Sequence, residues 1–191
     1  CLSRGLGDVY KRQSQGSRSL NDLIVESLPQ LLNLAQIIHQ TGEKNYAETY
    51  LYAKGVLLEK NPDKLKDYHP FPFIPHDELG ILIQLVDLII ARAGSSTIFE
   101  IAAMGKPSIL IPLEKDVAGW HQIMNARIYA HYGACKVLEE KNAKPHLLVS
   151  LVEDILQNES LLASMHEAAL RFSKLDASEK IAEEIIKSVL K

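Results

Sequence analysis

Two turns of small residues carry the clearest chemistry in this sequence, Ser14-Gln15-Gly16-Ser17-Arg18 and Arg92-Ala93-Gly94-Ser95-Ser96. Each immediately precedes a helical pattern. A helix start leaves backbone N–H groups without an intrahelical acceptor, and the aligned peptide dipoles add partial positive charge there. Such a turn accepts an anion, and a diphosphate is a natural occupant. A simpler role, which spacing alone favours, is open at each turn. Ser17 or Ser19 can cap the first helix, and Thr97 can cap the second with Glu100, three residues on, completing a capping box.

Several other chemistries are excluded. No GxGxxG follows an expected strand, which leaves dinucleotide binding without support, and no DxD motif offers a metal-bridged diphosphate. Cys1 and Cys135 cannot make a CxxC metal site and argue against a structural disulfide, as in a reducing compartment. The 191 residues carry 21 basic and 24 acidic side chains, a formal net charge of -3, and no basic stripe for tracking a nucleic-acid backbone. The longest apolar run, Leu79 to Ile90, is interrupted by Gln84 and Asp87 and falls short of the roughly 20 residues that span a bilayer. A composition of 47% hydrophobic and 24% charged residues is that of one ordinary globular domain.

The elements that must position the two turns follow from hydrophobic periodicity. A helix presents Leu20, Leu23, Ile24, Leu28 and Leu31 on one face, and Leu34 to His39 reads as a strand ended by Gly42. A short helix from Asn45 to Tyr52 precedes Tyr68 to Pro75, whose prolines confine it to a short or edge strand. Asp77 is expected to cap a helix reaching Leu85; Leu88 to Ala91 is a buried strand, and Thr97 to Met104 a helix closed by Gly105. Ser108 to Pro112, a helix from His121 to His131, and the strand Cys135 to Leu138 complete the alternation. Three helices follow, Leu147 to Gln157, Glu159 to Phe172 and Ser178 to Leu190. Short apolar strands alternating with helices indicate a parallel sheet covered on both faces, the doubly wound α/β class, whose ligands bind at the carboxyl ends of the strands.

The first thirteen residues, CLSRGLGDVYKRQ, fit neither template, and the only methionines are Met104, Met124 and Met165. Residues 1–13 are therefore expected to be a non-native leader ahead of a domain over 14–191, a native irregular arm being the alternative. Since Val9-Tyr10-Lys11-Arg12 makes a poor core strand, the strand that should lead into the first helix is expected to be missing or badly imitated.

Four runs resemble one family in order and spacing: SQGSRSLND at Ser14 to Asp22, IHQTG at Ile38 to Gly42, ARAGSSTIFEIAAMGKPSILIP at Ala91 to Pro112, and HQIMNA at His121 to Ala126. The family is the MurG group of bacterial glycosyltransferases, which move N-acetylglucosamine from UDP-N-acetylglucosamine to lipid I to make lipid II in peptidoglycan synthesis. The resemblance runs from Ser14 to the end and implies a Rossmann-like sheet, the carboxy-terminal, donor-holding domain of a GT-B enzyme. It implies a diphosphate near Ser14, Gln15 and Gly16 and near the turn Ser95, Ser96 and Thr97, with Ile98 and Phe99 among the donor-binding residues. It implies uracil at the Ile74 backbone beside Phe73, and the ribose hydroxyls on Glu100, whose carboxylate can accept two hydrogen bonds. Gln122 and Asn125, on one helix face, would hold the N-acetylglucosamine ring, with His121 adjacent.

The same resemblance implies no metal and no cofactor, UDP-N-acetylglucosamine being a substrate. The acceptor lipid I, the base and a peripheral contact with the cytoplasmic face of the cell membrane belong to the family's amino-terminal half, so this chain alone is expected to bind donor weakly and not to transfer it. Nucleic acid is not an expected partner. Ordinary helix-surface roles stay open for Gln122 and Asn125, and a capping role for Glu100. His39 and His69 read as structural, and His131, His146 and His166 as surface residues. The segment Leu113 to Trp120 departs from the family pattern, and Trp120 could stack on a sugar or pack on the protein. The last helix carries an apolar stripe of Ile181, Ala182, Ile185, Ile186, Val189 and Leu190, which suits either its own domain or a partner domain. A soluble subunit of a split transferase and a non-enzymatic nucleotide-binding module are the competing identities.

Overall fold

A computed structural model describes residues 17–113, 120–174 and 176–189, apart from the side chains of Ser178 and Val189. The expected leader, Ser14, Gln15 and Gly16, and most of the divergent loop before Trp120 lie outside these residues.

Helix α1 (Arg18–Leu31) begins where Ser17 adopts an extended conformation and its side chain accepts the Leu20 N–H, one of the two caps anticipated for it. Its buried face holds Leu20, Leu23, Ile24, Leu28 and Leu31, matching the apolar spacing. Strand β1 (Ile37–Gln40) is wholly buried and pairs in parallel with β2 (Tyr68–Phe71), His39 lying opposite Pro70. Pro70 is tolerated because β2 pairs on one side only, at a sheet edge. Between them runs α2 (Tyr46–Lys60), which continues eight residues past the expected end at Tyr52 because it packs on α1 and β2 through Thr49, Ala53 and Leu57.

Helix α3 (His76–Leu85) corrects one expectation: Pro75 occupies the N-cap, no side chain caps the helix, and Asp77 sits inside the first turn instead. Proline supplies the non-helical entry, and the acidic Asp77 still faces the positive end of the dipole. Strands β3 (Ile89–Ala91), β4 (Ser108–Leu110) and β5 (Cys135–Val137) form a second parallel sheet with β4 in the centre. Helices α4 (Ser95–Ala103) and α5 (Trp120–His131) are the crossovers. Three helices close the chain: α6 (Pro145–Leu156), α7 (Glu159–Phe172) and α8 (Ala177–Val189). Helices α2 and α6 pack on α1, while α5 and α7 pack on α4.

Among the described residues the parallel strands form two sheets rather than one continuous ladder. The start of α1 lies between them, hydrogen-bonded to both sides: Asn21 Nδ2 donates to the Thr41 carbonyl just past β1, and Ser17 meets Arg92 just past β3. The strand expected to lead into α1 would fall before Ser17, outside the described residues.

The last helix bears on one of the two readings of its stripe, packing on its own domain. Ile181, Ile185 and Ile186 are all exposed, so they do not pack on their own domain; the Val189 side chain and Leu190 lie outside the described residues.

Candidate functional site

The carboxyl ends of the parallel strands converge on the second small-residue turn. Helix α4 starts at Ser95, two residues before the expected Thr97, with Gly94 as its N-cap and no side-chain cap. This overturns the capping-box reading of Thr97 and Glu100, because Thr97 already lies inside the helix. Glycine brings no side-chain oxygen, so the first N–H groups of α4 are left to other partners. Ser95 and Ser96 are exposed on this open end, and Thr97 is half-buried.

Helix α5 is hooked directly onto the turn. Asn125 Nδ2 donates to the Ala93 carbonyl at 3.2 Å, and Gln122 Oε1 accepts the Leu113 N–H at 3.1 Å. Both residues singled out on α5 therefore sit at the same strand ends as the turn, and His121 is exposed beside them. Glu100 is half-buried one turn further along α4. Two members of the expected donor segment point elsewhere. Ile98 is in the core, and Phe99 stacks on Phe172 of α7 with ring centres 5.6 Å apart. A role for either at a ligand falls to the backbone. Trp120 is exposed.

Ile74, just past β2, is buried, and its N–H is held by Gln40 Oε1 at 3.2 Å. Gln40, the last residue of β1, lay in the IHQTG run but was given no role of its own there; it is a polar side chain with 1% exposure. It fixes the segment that carries Ile74. His39 proves structural, as expected. Asn21 spends its Nδ2 on Thr41 and offers Oδ1 to His39 Nε2 at 3.2 Å, so Nε2 carries the proton and Nδ1 accepts from the Tyr68 hydroxyl at 2.9 Å. Burial holds the Tyr68 hydroxyl protonated far above its ordinary range.

Arg92 is the residue that sequence reasoning missed. It follows β3 and is only 5% exposed. Nη2 donates to Ser17 Oγ at 2.7 Å, Ser19 Oγ at 2.9 Å and Glu140 Oε1 at 2.5 Å, while Nη1 reaches the carbonyls of Ile111 at 3.1 Å and Pro112 at 3.4 Å. One guanidinium thus joins the start of α1, the ends of β3 and β4, and the 3-10 turn Glu140–Asn142 after β5. A lone arginine in an apolar run gives no periodic signal; its membership of the Arg92 to Ser96 turn was the available hint.

The described residues contain no group of three or more His, Cys, Asp or Glu side chains able to hold a metal ion. None of their helices is long and apolar enough to cross a membrane.

Comparison with known proteins agrees with this architecture. Two relatives named UDP-N-acetylglucosamine--N-acetylmuramyl-(pentapeptide) pyrophosphoryl-undecaprenol N-acetylglucosamine transferase are each 36% identical. The one from Treponema denticola aligns over 142 residues, 74% of this chain and 36% of that protein. The one from Thermodesulfovibrio yellowstonii aligns over 181 residues, 93% of this chain and 46% of that protein. The crystal structure of Acinetobacter baumannii MurG superposes with a TM-score of 0.77 at 26% identity, over 96% of this chain and 50% of that one. The chain spans half or less of the length of these relatives. The model of the glycosyltransferase family 28 C-terminal domain matches residues 14–185, and the chain belongs to that family.

Proposed function

We propose that this chain is the donor-binding half of an inverting glycosyltransferase that uses UDP-N-acetylglucosamine and glycosylates lipid I to make lipid II. The observation that carries the proposal is the uncapped start of α4 at the carboxyl edge of β3, with the polar side chains of α5 anchored beside it. A diphosphate lying there meets backbone N–H groups that no side chain caps among the described residues, and the positive end of a nine-residue helix. The names of the similar proteins supply the donor and acceptor chemistry, which no ligand in the fold identifies.

In this reading the diphosphate rests on Ser14, Gln15 and Gly16 and on the turn from Ser95 to Thr97, with Ile98 and Phe99 contributing backbone to the donor site. The uracil edge meets the backbone at Ile74, Glu100 accepts from the ribose hydroxyls, and Gln122, Asn125 and His121 face the sugar. Attack by the C4 hydroxyl of the lipid-linked muramyl sugar forms the new bond to the anomeric carbon and expels UDP. Charge growing on the leaving diphosphate is stabilised by backbone donors fixed before the reaction, which need no reorganisation in the transition state and no resident cofactor. The base, the lipid I site and a peripheral seat on the cytoplasmic face of the membrane belong to an amino-terminal half of the kind the longer relatives carry.

Calorimetric titration with UDP-N-acetylglucosamine tests the proposal. Binding is expected, and Glu100→Ala weakens it about tenfold through loss of charge-assisted hydrogen bonds. Absence of binding overturns the donor reading. Conversion of lipid I by this chain alone overturns its being half of the machinery.

A further inference from the structure

We propose that Arg92 is the positioning residue of the diphosphate site, holding the starts of α1 and α4 at one separation so that both reach the same ligand. The proposal rests on the donor-binding reading above. Two helix ends can share a diphosphate only if their spacing is constant, and they arise from segments more than 70 residues apart, Arg92 standing 75 residues from Ser17. Arg92 lies two residues before Gly94, the N-cap of α4, and its Nη2 bonds Ser17, the N-cap of α1. It is therefore coupled to one helix start through the backbone and to the other through its side chain.

The donor accounting shows why an arginine is needed. Nη1 spends its hydrogens on the Ile111 and Pro112 carbonyls, and the two hydrogens of Nη2 are shared among Ser17, Ser19 and Glu140. Ser19 passes its own hydroxyl hydrogen to Glu140 at 2.7 Å, which closes the cluster. Nε is buried and has no partner among the described residues. A planar fork satisfies acceptors on several sides at once, whereas the ammonium of lysine is a point charge on a flexible stem. The Glu140 carboxylate neutralises the guanidinium, so the cluster sets geometry without placing an uncompensated cation beside the ligand.

The test compares UDP with uridine, titrated by calorimetry for UDP and by NMR for uridine, against the wild-type chain, Arg92→Lys and Glu140→Gln. A positioning role predicts that Arg92→Lys weakens UDP about tenfold while uridine, held through Ile74 and Glu100, changes less than twofold. Equal weakening of both ligands overturns the proposal, since general destabilisation does not sense the diphosphate. Thermal unfolding monitors the fold. Should Arg92→Lys fail to fold, Glu140→Gln decides. It is expected to weaken UDP about threefold by loosening the fork, and tighter UDP binding overturns the proposal by showing that charge, rather than spacing, is what Arg92 contributes. A wild-type chain that binds neither UDP nor uridine removes the donor-binding reading itself, which is a different failure from an unchanged UDP-to-uridine ratio.

Discussion

The two ends of the β3–β5 sheet are built on opposite plans. At the amino ends the end of α4 and the nearby lysine and histidine bond to backbone carbonyls, Ser108 Oγ at the start of β4 being the buried atom left without a partner among the described residues. Gly105, with φ of +62°, ends α4 in a Schellman turn, its N–H bonding the Ala102 carbonyl and the Lys106 N–H bonding Ile101. Lys106 Nζ donates to the carbonyls of Gln84 at 2.8 Å and Val86 at 2.9 Å, and His166 donates to the Gly105 carbonyl. At the carboxyl ends the opposite holds: α4 opens on a glycine with no side-chain cap, and the polar side chains nearby brace the backbone around it instead of covering it. His166 is exposed, as expected of a surface residue, and it also donates to the Gly105 carbonyl at the sealed, amino end. The difference shows how one fold keeps a site available. In the proposed reading, hydrogen-bonding capacity is spent at the end that only holds the fold together and left uncapped at the end where the donor would supply the partner.

If the sealed end is purely structural, a change there should alter stability and leave ligand affinity alone. Gly105→Ala is the strongest such change. An added Cβ would lie 2.6 Å from His166 Cε1 and 3.0 Å from Leu170 Cδ2 in a left-handed backbone, and His166 cannot swing aside without releasing the Gly105 carbonyl. A loss of about 2 kcal/mol in urea unfolding is expected, with UDP affinity within twofold of the wild-type chain. A fall in affinity as large as the fall in stability would mean that the two ends are not independent.

Ser17→Ala probes the open end. Removing the N-cap oxygen of α1 should cost about 1 kcal/mol in the same experiment. Here affinity should fall as well, since Ser17 also receives Arg92. An unchanged affinity for UDP would confine Ser17 to capping.

The smallest effect lies at the amino end of β5. Burial pushes the Cys135 thiol up from 9.0 to about 12. A folded-state value raised above the unfolded one contributes stability that is complete below pH 9 and lost as the pH rises toward 12. The loss is only about 0.4 kcal/mol at pH 9, where half of the unfolded thiols are ionised. In a Cys1→Ser background, a thiol reagent at pH 8 should modify Cys135 at the rate of unfolding. Fast modification in the native state would show that water enters the sealed end.

Legibility in the sequence followed the range of the interactions. Helix α1 was readable, with its cap narrowed to Ser17 or Ser19, because the cap and the apolar face are both local patterns, of four and twelve residues. The start of α4 was misread because the Thr97–Glu100 spacing imitates a capping box inside the helix, while the actual cap, Gly94, carries no side-chain signal. Asp77 misled for the same reason beside Pro75. The Gln40 to Ile74 hydrogen bond, across 34 residues, and the Arg92 to Glu140 pair, across 48, left no pattern at all. Each exists only because parallel strands bring remote segments to one edge.

The sequence by itself determined the class of fold, the order of elements, the turns that end the strands and the segments in which the candidate donor residues lie. These depend on periodicity, backbone conformational preference and the residue types at turns, all expressed within a few residues. Only the tertiary structure decided which helix start is capped and which stays open, that Phe99 turns to Phe172 while Asn125 turns to the Ala93 carbonyl, and that one arginine joins both helix starts. A buried hydrogen-bonding group must find its partner wherever the packed chain supplies one, and that partner is fixed by the meeting of distant segments rather than by the neighbours in the chain.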